Sequence, residues 1–231
     1  MKLKELTEFL EGRSIEEQLK ELASRFENRI LFTTSFGLED QVITHKIFKN
    51  NLAIKIATLD TGRLFPQTYD VFSNTIIRYK KKIDTYFPDH DSVEKMVSEK
   101  GPFSFFVSKE NRMECCRLRK VFPLNRALKG IECWISGIRA NQSDDRKQME
   151  WLEYDEKKNI FKFYPLFSWS FEDVEKFIKE NNVPYNSLHD KGYVSIGCEP
   201  CTRAIKPGQD FRAGRWWWES DGPKECGCHV K

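Results

Sequence analysis

Short apolar runs that end in small polar turns alternate with segments of helical period along most of this chain. The run Ile30-Leu31-Phe32-Thr33-Thr34-Ser35 stops at Gly37, and a helical pattern follows over about 39–49. A second run, 53–59, ends at Asp60-Thr61-Gly62 and precedes a helical pattern over 67–80. The runs 83–87, 133–138 and 160–167 read as further strands. Residues 171–181 read as a helix capped by Ser170, with Asp173 in its first turn. Upstream, Leu3, Leu6, Leu10, Ile15, Leu19, Leu22 and Phe26 keep helical spacing, and Ser14 with Glu17 forms a capping box between two helices. Strands alternating with helices predict an α/β fold, a mostly parallel sheet with helices on both faces.

In open parallel sheets ligands bind at the carboxyl ends of the strands. Three polar loops are expected there. Thr34-Ser35-Phe36-Gly37-Leu38-Glu39-Asp40 is a small, Gly-containing turn into a helix N-terminus, which suits an anion because free N–H groups face it. Asp60-Thr61-Gly62-Arg63 follows the second strand. The stretch from Ser136 to Ser143, with Arg146 behind it, follows the fourth. Three such loops together favour a nucleotide over an ordinary set of tight turns.

Composition bounds the rest. The 231 residues are 39% apolar and 32% charged, enough for a sizeable core, and the net charge of +3 does not demand a nucleic-acid partner. No apolar run approaches the roughly 20 residues that span a membrane. The start, MKLKELTEFLEGR, has acids and no apolar signal core, so a soluble, cytoplasmic protein is expected.

An intracellular chain keeps its thiols reduced, so its seven cysteines read as ligands or reactive groups before disulfides. Cys133, inside IECWISGI, reads as a buried small hydrophobe. Cys115-Cys116 and the Cys198/Cys201 pair supply four thiolates, a set suited to zinc or to an iron–sulfur cluster. Adjacent cysteines point apart, which a structural zinc site tolerates less well than a larger cluster with spaced metal corners. Arg117, Arg119 and Lys120 follow the first pair; Arg203, Lys206, Arg212 and Arg215 follow the second. Cations there offset the thiolates and can hold a phosphate or sulfate. Trp216-Trp217-Trp218 is costly to expose and is expected to pack. In Glu225-Cys226-Gly227-Cys228-His229, Cys226 is a candidate nucleophile whose thiolate His229 and nearby arginines would favour. A spare C-x-C metal pair and an unstructured tail are the other readings.

In this order, SFGLED (35–40), LDTGRLFPQTY (59–69), CCRLRKVFPL (115–124), WISGIR (134–139), QSDDR (142–146), GCEPC (197–201), FRAGRWWW (211–218) and ECGCH (225–229) resemble the assimilatory adenylyl-sulfate reductases. These form the iron–sulfur branch of the adenylyl-sulfate/phosphoadenylyl-sulfate reductase family. The resemblance covers about residue 30 to the end. It implies an adenine nucleotide α-hydrolase-like fold with a C-terminal catalytic tail. That divides the chain into a helical segment over 1–29, a nucleotide-binding domain over 30–190 and a C-terminal segment over 191–231. It also implies a modified phosphate loop over Thr34, Ser35, Phe36 and Gly37, with adenosine near Thr34, Phe36, Leu59, Gly137 and Arg146. Lys120, Arg212, Arg215 and His229 would hold the phosphosulfate. Cys115, Cys116, Cys198 and Cys201 would hold a [4Fe-4S] cluster, and Cys226 would be the nucleophile. The implied partners are adenylyl sulfate and reduced thioredoxin, with homo-oligomerisation open. Phosphoadenylyl sulfate is the alternative substrate. An RNA-sulfur-transfer enzyme with a zinc site is a more distant alternative, whose SGG-type ATP loop is missing here. The family usually has Leu where this chain has Cys228. That residue either resolves an adduct on Cys226 or packs as a small hydrophobe.

Overall fold

The computed structural model describes residues 2–219, 227 and 228. In chain order its regular elements are α1 (Leu3–Leu10), α2 (Ile15–Arg25), β1 (Ile30–Thr34), α3 (Leu38–Lys49), β2 (Lys55–Leu59), α4 (Pro66–Tyr79), β3 (Asp84–Tyr86) and α5 (His90–Lys100). There follow α6 (Lys109–Cys116), α7 (Phe122–Ala127), β4 (Cys133–Ile135), α8 (Asp144–Lys147), β5 (Leu152–Asp155), β6 (Ile160–Phe163) and α9 (Phe171–Glu180). The six strands form one sheet in the order β3-β2-β1-β4-β6-β5. β1 pairs with β4 and β4 with β6 in parallel, while β5 is an antiparallel edge strand. The chain separates into two compact units. One comprises Met1–Ala57, Asp70–Asp84 and Gly130–Asn186; the other Thr58–Tyr69, Thr85–Lys129 and Ser187–Lys231.

The first unit holds the main core. β1 and β4 run Ile30 against Cys133 and Phe32 against Ile135, and all four side chains are fully buried. With solvent excluded on both faces, these strands read as continuous apolar runs. Burial pushes the Cys133 thiol far above its ordinary range, so it packs as a hydrophobe, as expected. α3 lies against β1 and α9, and α1 against β5. Ser14 Oγ accepts the Glu17 N–H at 3.3 Å and the Glu17 carboxylate accepts the Ser14 N–H at 2.8 Å, closing the expected box. Ser170 likewise caps α9 through the Asp173 N–H at 3.0 Å.

Several strands are shorter than their apolar runs. β4 ends at Ile135: the Ser136 N–H makes one last bond, to the Phe163 carbonyl, and the chain then leaves the sheet. β6 ends at Phe163, since the Phe167 N–H folds back onto the Tyr164 carbonyl. β2 begins only at Lys55, after a turn closed by Ile54 N–H on Leu52. β3 spans only Asp84–Tyr86 of the run 83–87.

The second unit contains α5, α6 and α7. Between α6 and α7 the helix widens into a π-type segment, Arg117–Val121. Such insertions open one turn and recur at functional sites. Here the insertion begins directly after Cys115-Cys116. Among the described residues no helix is long and apolar enough to cross a membrane.

Candidate active site

β1 stands between β2 and β4 in the sheet, so successive connections leave it in opposite directions. The loops after β1 and β4 therefore open at a topological switch point, where parallel sheets bind ligands. Two consecutive acids in the first turn of α3 join these loops. Asp40 Oδ2 accepts the Ser35 N–H at 2.6 Å and the Ser35 hydroxyl at 2.8 Å, and its carboxylate also takes the Gly137 N–H. Glu39 Oε1 accepts from Arg139 Nε at 2.8 Å and from Gln142 Nε2 at 2.9 Å. Arg146 in turn donates to Gln142 Oε1.

Asp40 is thus a buried acid at the start of α3 that takes donors from both loops. Burial, helped by neighbouring Glu39, raises its pKa to about 6 against the pull of these hydrogen bonds. Within Thr34–Gly37 two backbone donors have acceptors inside the protein, Ser35 N–H on Asp40 and Phe36 N–H on Thr34 Oγ1. Thr34 is buried and its Oγ1 accepts the Phe36 N–H at 3.0 Å. Phe36 adopts φ +61° and stacks on Phe72 with centroids 4.8 Å apart, so its ring belongs to the core. Ser136 Oγ is buried at the end of β4 with no hydrogen-bond partner among the described residues. It is a candidate ligand contact in the loop, Ser136 to Ser143, that the sequence marks as ligand-facing.

In the second unit Cys115, Cys116, Cys198 and Cys201 share one buried cluster with Met96, Phe105 and Trp216. Burial pushes Cys115 up and Cys201 up to about 12; nearby Cys198 adds to both shifts, and Cys116 adds to that of Cys201. The four thiols are therefore close enough to feel one another. Arg119 and Arg63 act on Cys115, Lys120 and Arg215 on Cys201, and Arg112 on Cys116. The Asp60–Arg63 loop belongs to this centre. Thr61 Oγ1 lies 3.2 Å from Cys198 Sγ, Arg119 Nη1 donates to the Thr61 carbonyl at 2.6 Å, and Glu199 N–H donates to the Arg63 carbonyl at 2.8 Å.

Around the thiols three buried donors, Arg119 Nε, Arg215 Nε and Trp216 Nε1, have no hydrogen-bond acceptor among the described residues. Unmet donors beside four cysteine sulfurs fit a group that is itself anionic and rich in acceptors. A [4Fe-4S] cluster, with four Cys ligands and sulfide corners, is such a group. Among the described residues no three His, Cys, Asp or Glu side chains close around the point that a single metal ion would occupy.

Residues 29–204 match the phosphoadenosine phosphosulfate reductase domain. The chain belongs to this family. A curated relative from Agrobacterium fabrum, named adenosine 5′-phosphosulfate reductase, is 46% identical over 202 residues, 87% of this chain and 78% of that one. The solved phosphoadenylyl-sulfate reductase of Candida auris, in a phosphate complex, is 30% identical with a TM-score of 0.73, covering 88% of this chain and 96% of that one. The FMN adenylyltransferase of Candida glabrata is 14% identical with a TM-score of 0.54, covering 99% of this chain and 81% of that one; it shares the fold. The adenine nucleotide α-hydrolase-like architecture expected from the sequence is thereby borne out.

Within this family framework the predicted site residues fall into two groups. Thr34, Ser35, Phe36, Gly37, Gly137 and Arg146 belong to the first unit. Lys120, Arg212, Arg215 and the four cysteines belong to the second unit. Leu59 ends β2 and is half-buried. Cys226 and His229 lie outside the described residues. Cys228 is buried at 8% exposure, and its neighbour Gly227 lies against Val121 of the π segment. Arg112 joins the cysteine centre though its sequence context does not single it out, because an arginine's burial is decided by tertiary packing; Thr61, of the Asp60–Arg63 loop read from the sequence as a ligand loop, lies beside Cys198.

Proposed function

We propose that this chain reduces adenylyl sulfate to sulfite and AMP, with reduced thioredoxin as electron donor and a [4Fe-4S] cluster on Cys115, Cys116, Cys198 and Cys201. The reading rests chiefly on the four buried thiols with their arginine and lysine shell, in a chain that shares 46% identity with an enzyme named for this reaction. The cluster, when bound, would supply a compact anionic group that organises that shell.

The switch-point loops would take the adenosine through Thr34, Phe36, Leu59, Gly137 and Arg146. Lys120, Arg212, Arg215 and His229 would take the phosphosulfate. The Cys226 thiolate attacks the sulfur of the sulfate–phosphate anhydride. The sulfur–oxygen bond breaks, and AMP leaves with the electron pair. Attacker and substrate are both anionic, so fixed cations are needed to bring them together and to stabilise the charge that develops on the phosphate. A thioredoxin thiolate then attacks Cys226 Sγ and expels sulfite; its second thiol resolves the mixed disulfide. Two electrons pass from the thioredoxin dithiol, which becomes a disulfide, and Cys226 is returned as a thiol. The reaction suits a cytoplasmic protein with its thiols kept reduced.

The test is sulfite release with reduced thioredoxin, measured side by side for adenylyl sulfate and its 3′-phosphorylated form. The reading predicts a clear preference for adenylyl sulfate in kcat/KM. The second reading, the 3′-phosphorylated substrate, is favoured by the likeness to the Candida auris enzyme and predicts the reverse.

A further inference from the structure

Trp216 occupies an unusual place in the second unit. Its side chain is 1% exposed and its φ is +42°, the left-handed region that residues with a β-carbon enter only under constraint. The constraint is visible. Its N–H donates to the Cys201 carbonyl at 3.2 Å, and the neighbouring pair Thr202 and Arg215 forms an antiparallel bridge. Gly214 is required there, because a Cβ on it would sit 2.2 Å from the Arg203 carbonyl oxygen. The second cysteine pair and the R-x-x-R-W stretch are thus held as one ladder.

Three guanidinium groups lie over the Trp216 ring, at 4.6 Å for Arg112, 4.9 Å for Arg215 and 5.9 Å for Arg212. Three like charges gathered on one ring repel one another, and the negative face of the indole offsets part of that repulsion. Arg112 is answered by Glu219, through bonds of 2.8 and 2.9 Å. Arg215 donates to Ser195 Oγ at 3.3 Å, yet its buried Nε and Trp216 Nε1 lack acceptors among the described residues. Gly197 leaves room for the Arg215 head: a Cβ there would come within 2.2 Å of it. Among the described residues the packing therefore holds the Arg215 Nε and Trp216 Nε1 donors in place without an acceptor.

We propose that Trp216 is a positioning residue whose π face holds Arg212 and Arg215 ready for the anionic phosphosulfate. This deepens the reductase reading and rests on it. The role needs the electron-rich face of the ring, not merely its bulk.

Site-specific incorporation of mono-, di- and trifluorotryptophan at 216 weakens that face at nearly constant shape. Binding is measured by titrating adenylyl sulfate and, separately, adenosine into the reconstituted full chain carrying Cys226→Ser, which prevents turnover. The affinity for adenylyl sulfate should fall stepwise with each fluorine, by about tenfold over the series, equivalent to about 1.4 kcal/mol. Adenosine affinity, iron content and melting temperature should stay level. Trp216→Leu should lose at least as much as the trifluoro variant. A flat adenylyl-sulfate affinity across the fluorine series overturns the positioning role while leaving the reductase reading intact. Failure of the chain with unmodified Trp216 to bind adenylyl sulfate overturns both.

Discussion

Asp40 Oδ1 lies 2.3 Å from the point where a Cβ on Gly137 would stand. The start of α3 and the turn after β4 are closed on each other at that point, and only glycine permits the approach. Gly137→Ala should therefore force a buried carboxylate to move. We expect a loss of about 1–3 kcal/mol in urea unfolding, the usual cost of overpacking. Asp40→Ala removes the obstacle but also the hydrogen bonds to Ser35. The double variant should then cost less than the sum of the singles. Additive costs would mean that the contact does not constrain the two turns.

Two buried groups in the first unit should titrate with opposite effects on stability. Folding raises the pKa of Asp40 to about 6 from an ordinary 3.8, chiefly through burial, so the protonated form is favoured in the folded state. That contribution is whole below about pH 3.8 and is lost as pH rises through about 6. His45 is lowered to about 4 by burial, reinforced by Lys49, Arg78 and Lys46. Its contribution is whole above the ordinary histidine value of 6.5 and is lost as pH falls through about 4. Between pH 4 and 6 the stability of wild type relative to Asp40→Asn should fall by about 2 kcal/mol, and relative to His45→Gln it should rise. Urea unfolding across that window measures both. Parallel slopes would contradict the assignment.

The cysteine centre predicts about four iron and four acid-labile sulfide per chain in anaerobically purified protein. Cys198→Ser should lose the visible absorbance and the iron. Arg119→Met removes a buried charge that reaches both Cys115 and the Thr61 carbonyl. It should bleed iron to a chelator several-fold faster and unfold with about 1–3 kcal/mol less free energy. Stoichiometric zinc without a chromophore would contradict the centre.

Much of this was legible because local rules and the fold agree. Ser14 with Glu17 and Ser170 with Asp173 cap helices wherever they occur, and the apolar runs of β1 and β4 are long enough to be buried strands. The stretch 90–127 was not legible. α5 and α6 bury little beyond Met96, Arg112, Cys115 and Cys116, so no apolar stripe marks them. β5 is only four residues, Leu152–Asp155, too short for its alternation to mark an edge strand. At the site, the cysteine pairs and arginines stood out by type and spacing. The commitment of the Ser35 N–H to Asp40, the turning of Phe36 into the core and the recruitment of Thr61 to Cys198 depend on side-chain directions set by packing.

Cys228 is buried, which suits a residue that fills a small apolar site and not one that resolves an adduct on Cys226. A C-x-C disulfide would also close a small, strained ring. In a single turnover without added thiol, wild type and Cys228→Leu should retain the adduct equally and release sulfite only when thioredoxin is supplied. Release by wild type alone would assign Cys228 a redox role.

The central claim is that sulfur passes from adenylyl sulfate to Cys226. Intact-mass spectrometry with peptide mapping, after incubation with adenylyl sulfate and no reductant, tests it most directly. The account predicts one added SO₃ group, located on Cys226, absent from Cys226→Ser and removed as sulfite by reduced thioredoxin. An unmodified Cys226 in protein that goes on to release sulfite, or turnover by Cys226→Ser, would contradict it.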